Sequence, residues 1–200
     1  MGKLLIAYND DSEVELHDFF SSCADEARQI CCNYSVDYSM IYPPNLNEEN
    51  VIGAMRSHSL CVIAAHGSPD GVFNEKDQYI VSLKTTNYNF RGKGFYGITC
   101  SCGENLSSNL QSLGLRFFIG YKDTFNIRGN DEPFVISALS GLKSFLSGDT
   151  LKDAYNTMLS VYDEQISHYE TEDMWTAIEL VHDKEALMFR GEESLRFKDL

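Results

Sequence analysis

Short, unbroken apolar runs recur along this chain, each closed by polar or turn-forming residues. Longer stretches between them carry apolar positions at helical spacing. The first run, residues 3–8 (KLLIAY), stops at Asn9, Asp10 and Asp11, which predicts a buried strand leading into a helix-capping cluster. Val14, Leu16, Phe19, Phe20, Cys23, Ala27, Ile30 and Cys31 then predict a helix over residues 13–32. Residues 35–42 read as extended and end at Pro43-Pro44. Asn47 is placed to cap a short helix to about Arg56, and residues 60–65 (LCVIAA) form a continuous apolar strand that stops at His66-Gly67. This order is β-α-β-α-β, with strands apolar on both faces, and it predicts a mainly parallel sheet covered by helices, a three-layer α/β/α sandwich.

The pattern changes over residues 68–94, where Gly, Asn, Asp and Lys are frequent and only residues 79–83 carry strand propensity. A hairpin or lid inserted into the layered fold is expected there. The core pattern resumes with a strand at 95–99 (FYGIT), a helix at about 104–113 and a strand at 115–121 (LRFFIGY). Pro133 is expected to start a helix that runs to Leu146 before the Ser147-Gly148 stop, and Thr150 to cap a longer one to about Tyr169. A last helix over 172–181 and a short strand over 186–189 complete the expectation. Residues 1–200 thus read as one domain, without internal repeats or a linker.

Composition narrows the function classes. Apolar residues make up 43% and aromatics 12% of 200 residues, enough for one sizeable core. The 30 Asp plus Glu against 16 Lys plus Arg give a formal net charge of −14, which repels phosphate backbones and anionic membrane surfaces, so nucleic acid and membrane are not expected partners. Six cysteines follow an opening, MGKLLIAYND, that lacks an adequate signal-peptide core, so reduced thiols and a cytoplasmic location are expected. Neither zinc-ligand spacing nor a long apolar span occurs, so no metal, cofactor or membrane helix is expected.

Two predicted strand ends carry nucleophile chemistry: Ala64-Ala65-His66-Gly67-Ser68 and Ile98-Thr99-Cys100-Ser101-Cys102-Gly103. Ligands of open parallel sheets bind beyond the carboxyl ends of the strands, so neighbouring tips would bring an imidazole and a thiol into one crevice. Cys102 precedes a predicted helix whose N-terminal dipole favours a thiolate. The amides of Gly67 and Cys102 are placed to hold an oxyanion, with the glycine permitting close approach. If the strand continues through both cysteines, its two-residue period turns Cys100 the same way as Cys102, as support or as a second reactive thiol.

In these segments, CVIAAHGSPDG and FYGITCSCGEN, the chain resembles the caspase-like cysteine peptidases of clan CD. Their signature is an apolar strand ending in His-Gly followed by one ending in a small residue and the catalytic Cys. The His-to-Cys order and a separation of about three dozen residues fit. LGLRFFIGYKDTF and FLSGDTLKDAYNTML resemble segments of the bacterial CHAT and separase-like domains. CHAT domains usually have Ser-Ala-Cys and caspases Gln-Ala-Cys where this chain has Cys100-Ser101-Cys102.

The resemblance implies a caspase-hemoglobinase-like fold and a cysteine endopeptidase with His66 and Cys102 as its dyad, Gly67 and Cys102 as oxyanion donors, and a protein or peptide substrate. It also implies an activating partner protein and a regulated antiviral-defence or cell-death setting. Separases carry an acidic residue near the position of Asp123 that receives a basic P1 side chain. Asp123 is the candidate for that pocket, against a solvated loop aspartate, with Asp10 and Asp11 in competition. The alternative is a catalytically silent caspase-like binding or scaffold module.

Overall fold

The computed structural model describes residues 2–86 and 88–200. Its central sheet has six strands in the order β2-β1-β3-β7-β8-β9. β1 (Leu4–Tyr8), β2 (Tyr38–Ile41), β3 (Leu60–Ala64), β7 (Gly94–Ile98) and β8 (Phe117–Tyr121) are parallel, while β9 (Leu187–Gly191) closes one edge antiparallel to β8. β1, β3, β7 and β8 are buried on both faces, which is why the sequence shows them as unbroken apolar runs, whereas β2 at the edge is half-buried.

Strand parity divides the interior into two cores. Leu4, Ile6, Val62, Ala64, Tyr96 and Ile98 face α1 (His17–Asn33), α4 (Glu132–Ser147), α5 (Leu151–Glu172) and α6 (Met174–Ala186). Leu5, Ala7, Cys61, Ile63, Phe95 and Phe118 face α2 (Glu48–Met55) and α3 (Asn105–Ser112). This is the expected α/β/α sandwich. Fully burying one such Leu, Ile or Phe side chain contributes about 1.5–3 kcal/mol.

Helix ends follow local chemistry. The Asn47 side chain accepts from Asn50 N at 2.9 Å, Thr150 Oγ1 accepts from Asp153 N at 3.2 Å, and α4 carries Pro133 in its first turn and stops at Gly148 in the left-handed region. α1 departs from the periodicity. It begins at His17 because Leu16 adopts φ 69°, so Val14 and Leu16 belong to an entry loop instead of a first turn.

The stretch between β3 and β7 forms a separate antiparallel sheet of β4 (Gly67–Ser68), β5 (Gly71–Phe73) and β6 (Tyr79–Ser82). Its buried Val72, Ile80 and Val81 join the second core. None of the described helices is long and apolar enough to cross a membrane.

Candidate active site

β3 and β7 are neighbours in register, with Ala64 beside Ile98. His66 and Cys100 each lie two residues beyond that pair, so strand parity carries both to the face of α1 and α6. There they line one cavity of about 10 Å³ together with Leu16, Phe20 and Phe125. The imidazole packs edge-on against Phe20, with ring centroids 5.2 Å apart. Its Nε2 lies 2.8 Å from the Glu15 carbonyl, in the entry loop that the left-handed Leu16 turns over the strand ends. A carbonyl only accepts, so Nε2 carries the hydrogen and the neutral ring's lone pair is on Nδ1.

Ser101 separates the two thiols. It adopts φ 56°, its N–H donates to Asp123 O at 2.9 Å, and Gly103 N donates to Tyr121 O at 2.8 Å. The left-handed residue ends the alternation that would have kept Cys100 and Cys102 on one face. Cys100 packs against the first core and Cys102 belongs to the second. The expected crevice therefore contains His66 and Cys100, while Cys102 is on the other side of the sheet, 0% exposed, under the small sheet. Its Sγ lies 3.2 Å from Ser68 O and 3.5 Å from Gly71 O, and burial pushes its thiol up to about 11. The helix dipole expected to favour a thiolate there is outweighed by desolvation.

Cys100 is half-buried. Phe125 N donates to its Sγ at 3.4 Å, and the same sulfur lies 3.8 Å from Phe125 O. Burial pushes this thiol up too, the Phe125 backbone contact opposes that, and the carboxyl groups of Asp183 and Asp123 add to the rise. In this closed arrangement burial works against the thiolate at both positions.

Gly67 sits where the two segments touch. A Cβ there would lie 2.5 Å from Cys100 O and 2.8 Å from Cys102 Sγ, so only glycine allows the approach. Phe73 N donates to His66 O at 2.9 Å, making His66–Phe73 a hydrogen-bonded pair. The next pair, Gly67–Val72, is then the non-hydrogen-bonded one, and the Gly67 N–H points away from β5, out of the edge strand.

Asp123 does not join this cavity. Its side chain is exposed, accepts from Thr124 N at 2.8 Å, and lines a separate depression with Lys122, His182 and Glu185. Its contribution to the site is the backbone carbonyl that holds Ser101. Asp10 and Asp11 are likewise outside the cavity lining, and Asp11 caps a turn by accepting from Glu13 N at 3.0 Å.

A carboxylate the sequence did not single out is Asp183 on α6. It is fully buried, accepts from Asn126 N at 2.8 Å through Oδ1, and leaves Oδ2 without a partner. Burial raises its pKa to about 8. Nothing in the sequence marked it, because one Asp on an otherwise amphipathic helix reads as solvated. Among the described residues, no three His, Cys, Asp or Glu side chains converge as a metal site would require.

No protein-family model matches this chain, and no curated protein matches it by sequence. Solved structures do. The crystal structure of the Arg-specific cysteine proteinase gingipain R superposes with a TM-score of 0.73 at 12% identity, over 98% of this chain and 47% of that one. The complex of Porphyromonas gingivalis RgpB pro- and mature domains gives 0.66 at 14%, over 98% and 48%. The chain spans about half the length of the structures it matches. At these identities the likeness concerns the fold, which is caspase-hemoglobinase-like.

Proposed function

We propose that this chain is a cysteine peptidase of the clan CD type in which Cys100, and not Cys102, is the nucleophile and His66 the acid-base group. The observation that carries the reading is the shared cavity. His66 and Cys100 alone among the sequence candidates line it, at adjoining parallel strand ends, with the imidazole fixed so that Nδ1 is free to take a proton.

In the reaction, His66 Nδ1 accepts the thiol proton as Cys100 Sγ bonds to the scissile carbonyl carbon, and the outward N–H of Gly67 stabilises the oxyanion. The C–N bond then breaks, and the imidazolium gives its proton to the leaving amine. Water attacks the thioester with His66 again as base, releasing the acid and restoring the thiol. Substrate is a protein or peptide strand.

A cavity of about 10 Å³ admits no substrate side chain, so on this reading lining residues such as Phe125 move before substrate enters. That closure also favours the second reading, a silent module. The two separate on exposure of the chain, Cys100→Ala and Cys102→Ala to an electrophilic peptide ketone, with the modified residue mapped by mass spectrometry. Exposed Cys32 reports non-specific alkylation. Labelling at Cys100 that persists in Cys102→Ala is expected. Labelling that survives Cys100→Ala at Cys102 overturns the assignment, and labelling at neither supports the silent module.

A further inference from the structure

Helix α6 is apolar on both sides. Its inner face buries Ala177, Leu180 and Ala186, as an amphipathic helix should. Its outer face carries Met174, Ile178 and Val181 at i, i+4 and i+7, which are 56%, 46% and 39% exposed, with Trp175 beside them at 60%. Four large apolar side chains in one stripe on a solvent-facing helix are the pattern of an interaction surface. Met174 and Trp175 stand at the start of the helix, where aromatic anchors of the kind that dominate interfaces are exposed.

Charge restricts what fits. Glu172, Asp173 and Glu185 are exposed along the ends of the stripe and Glu179 is half-buried beside it. The nearest lysine, Lys184, is already paired with Asp163. Arg128 lies over the Trp175 ring, 5.4 Å from its centroid, so this indole face already accepts a guanidinium. A second copy of the chain would bring its own −14 net charge to an acidic rim. A partner with an apolar stripe flanked by Lys and Arg satisfies both the core and the rim.

The surface is wired to the thiol. Arg128 belongs to the loop between β8 and α4, which is held to α6 at Asn126, whose N–H donates to Asp183 at 2.8 Å and whose amide lies 3.3 Å from His182 Nδ1. Phe125 and Ile127 of the same loop close the His66/Cys100 cavity. We propose that the outer face of α6 docks a basic amphipathic segment of a partner protein, which takes Arg128's place on Trp175 and releases the loop that covers Cys100. The docking half stands on the surface alone, and the release half rests on the Cys100 reading above.

Trp175 is the chain's single tryptophan, so its emission reports this face and no other. The probe is a synthetic 18-residue amphipathic peptide of Leu and Lys, with its Leu/Glu counterpart as control. Addition of the Leu/Lys peptide is expected to blue-shift the emission saturably, with no shift from Leu/Glu. Ile178→Glu is expected to weaken binding by about tenfold or more while leaving the fold's circular dichroism unchanged. Equal response to both peptides, no response, or full binding by Ile178→Glu overturns the docking proposal. So does a peptide-free dimer in sedimentation that Ile178→Glu dissociates, since the face then belongs to a second copy. Iodoacetamide labelling at Cys100 is expected to accelerate with the Leu/Lys peptide. Binding without acceleration overturns the release half only, and peptidase failure with acceleration present leaves both halves standing.

Discussion

Cys100 and Cys102 are separated by one residue and pack into different cores. Cys100 meets α1, the β8–α4 loop and His66, and is half-buried in a cavity that a moving Phe125 would open. Cys102 meets the second core and is closed under β4 and β5, with two carbonyls on its sulfur. Both thiols follow the same apolar strand, and desolvation raises both. The difference is access and a base. One thiol shares its enclosure with an imidazole whose free nitrogen is set by a backbone carbonyl, and the other shares it with a packed sheet.

The contrast is broken most severely at the base. On the proposed mechanism His66→Ala removes the proton acceptor from one enclosure only, so turnover of a peptide substrate is expected to fall by about 10²–10⁴-fold, measured as kcat/KM, with little change in melting temperature.

Gly67→Ala strikes the point where the two enclosures meet. Its Cβ forces Cys100 O and Cys102 Sγ apart, which is expected to cost about 1–3 kcal/mol in denaturant unfolding and to expose Cys102 to iodoacetamide.

Asp183 sharpens the contrast through pH, since it is buried behind Cys100. Its carboxyl is raised to about 8 in the fold against the usual value near 4 when unfolded, so the folded state binds its proton more tightly. The stability it contributes is fully present below about pH 4 and is lost as pH rises through about 8. Asp183→Asn keeps an acceptor for Asn126 N, and thermal melts between pH 4 and 9 are expected to show a flatter profile than the parent.

Cys102→Ala has the smallest expected effect. Peptide cleavage stays within about twofold of the parent, and loss of one buried sulfur costs about 1 kcal/mol, a shift of about 2–4 °C in melting temperature.

Much of this molecule is legible from its pattern. The apolar runs at 3–8, 60–65, 95–99 and 115–121 became β1, β3, β7 and β8 because strands buried on both faces must be apolar throughout. The caps at Asn47 and Thr150 held because they depend on residues three positions away. His66 was visible for the same local reason, at the end of an apolar strand before a glycine. The observed register adds what the pattern did not: Cys100 stands to Ile98 as His66 stands to Ala64.

What parity alone does not carry is the sign of φ at Ser101. A left-handed residue in this position is held by Asp123 O and by the continuation of β8 at Gly103, contacts about twenty residues away in sequence. The same holds for Leu16, whose left-handed turn brings the Glu15 carbonyl to His66 across fifty-one positions. Packing also decided that Asp123 is exposed and Asp183 buried, since burial is a property of the assembled helices. The sequence determined the layers, the strand ends and the residue types gathered there. Only the tertiary structure decided which thiol faces the imidazole, because one backbone dihedral, fixed by distant hydrogen bonds, sends neighbouring side chains to opposite faces of the sheet.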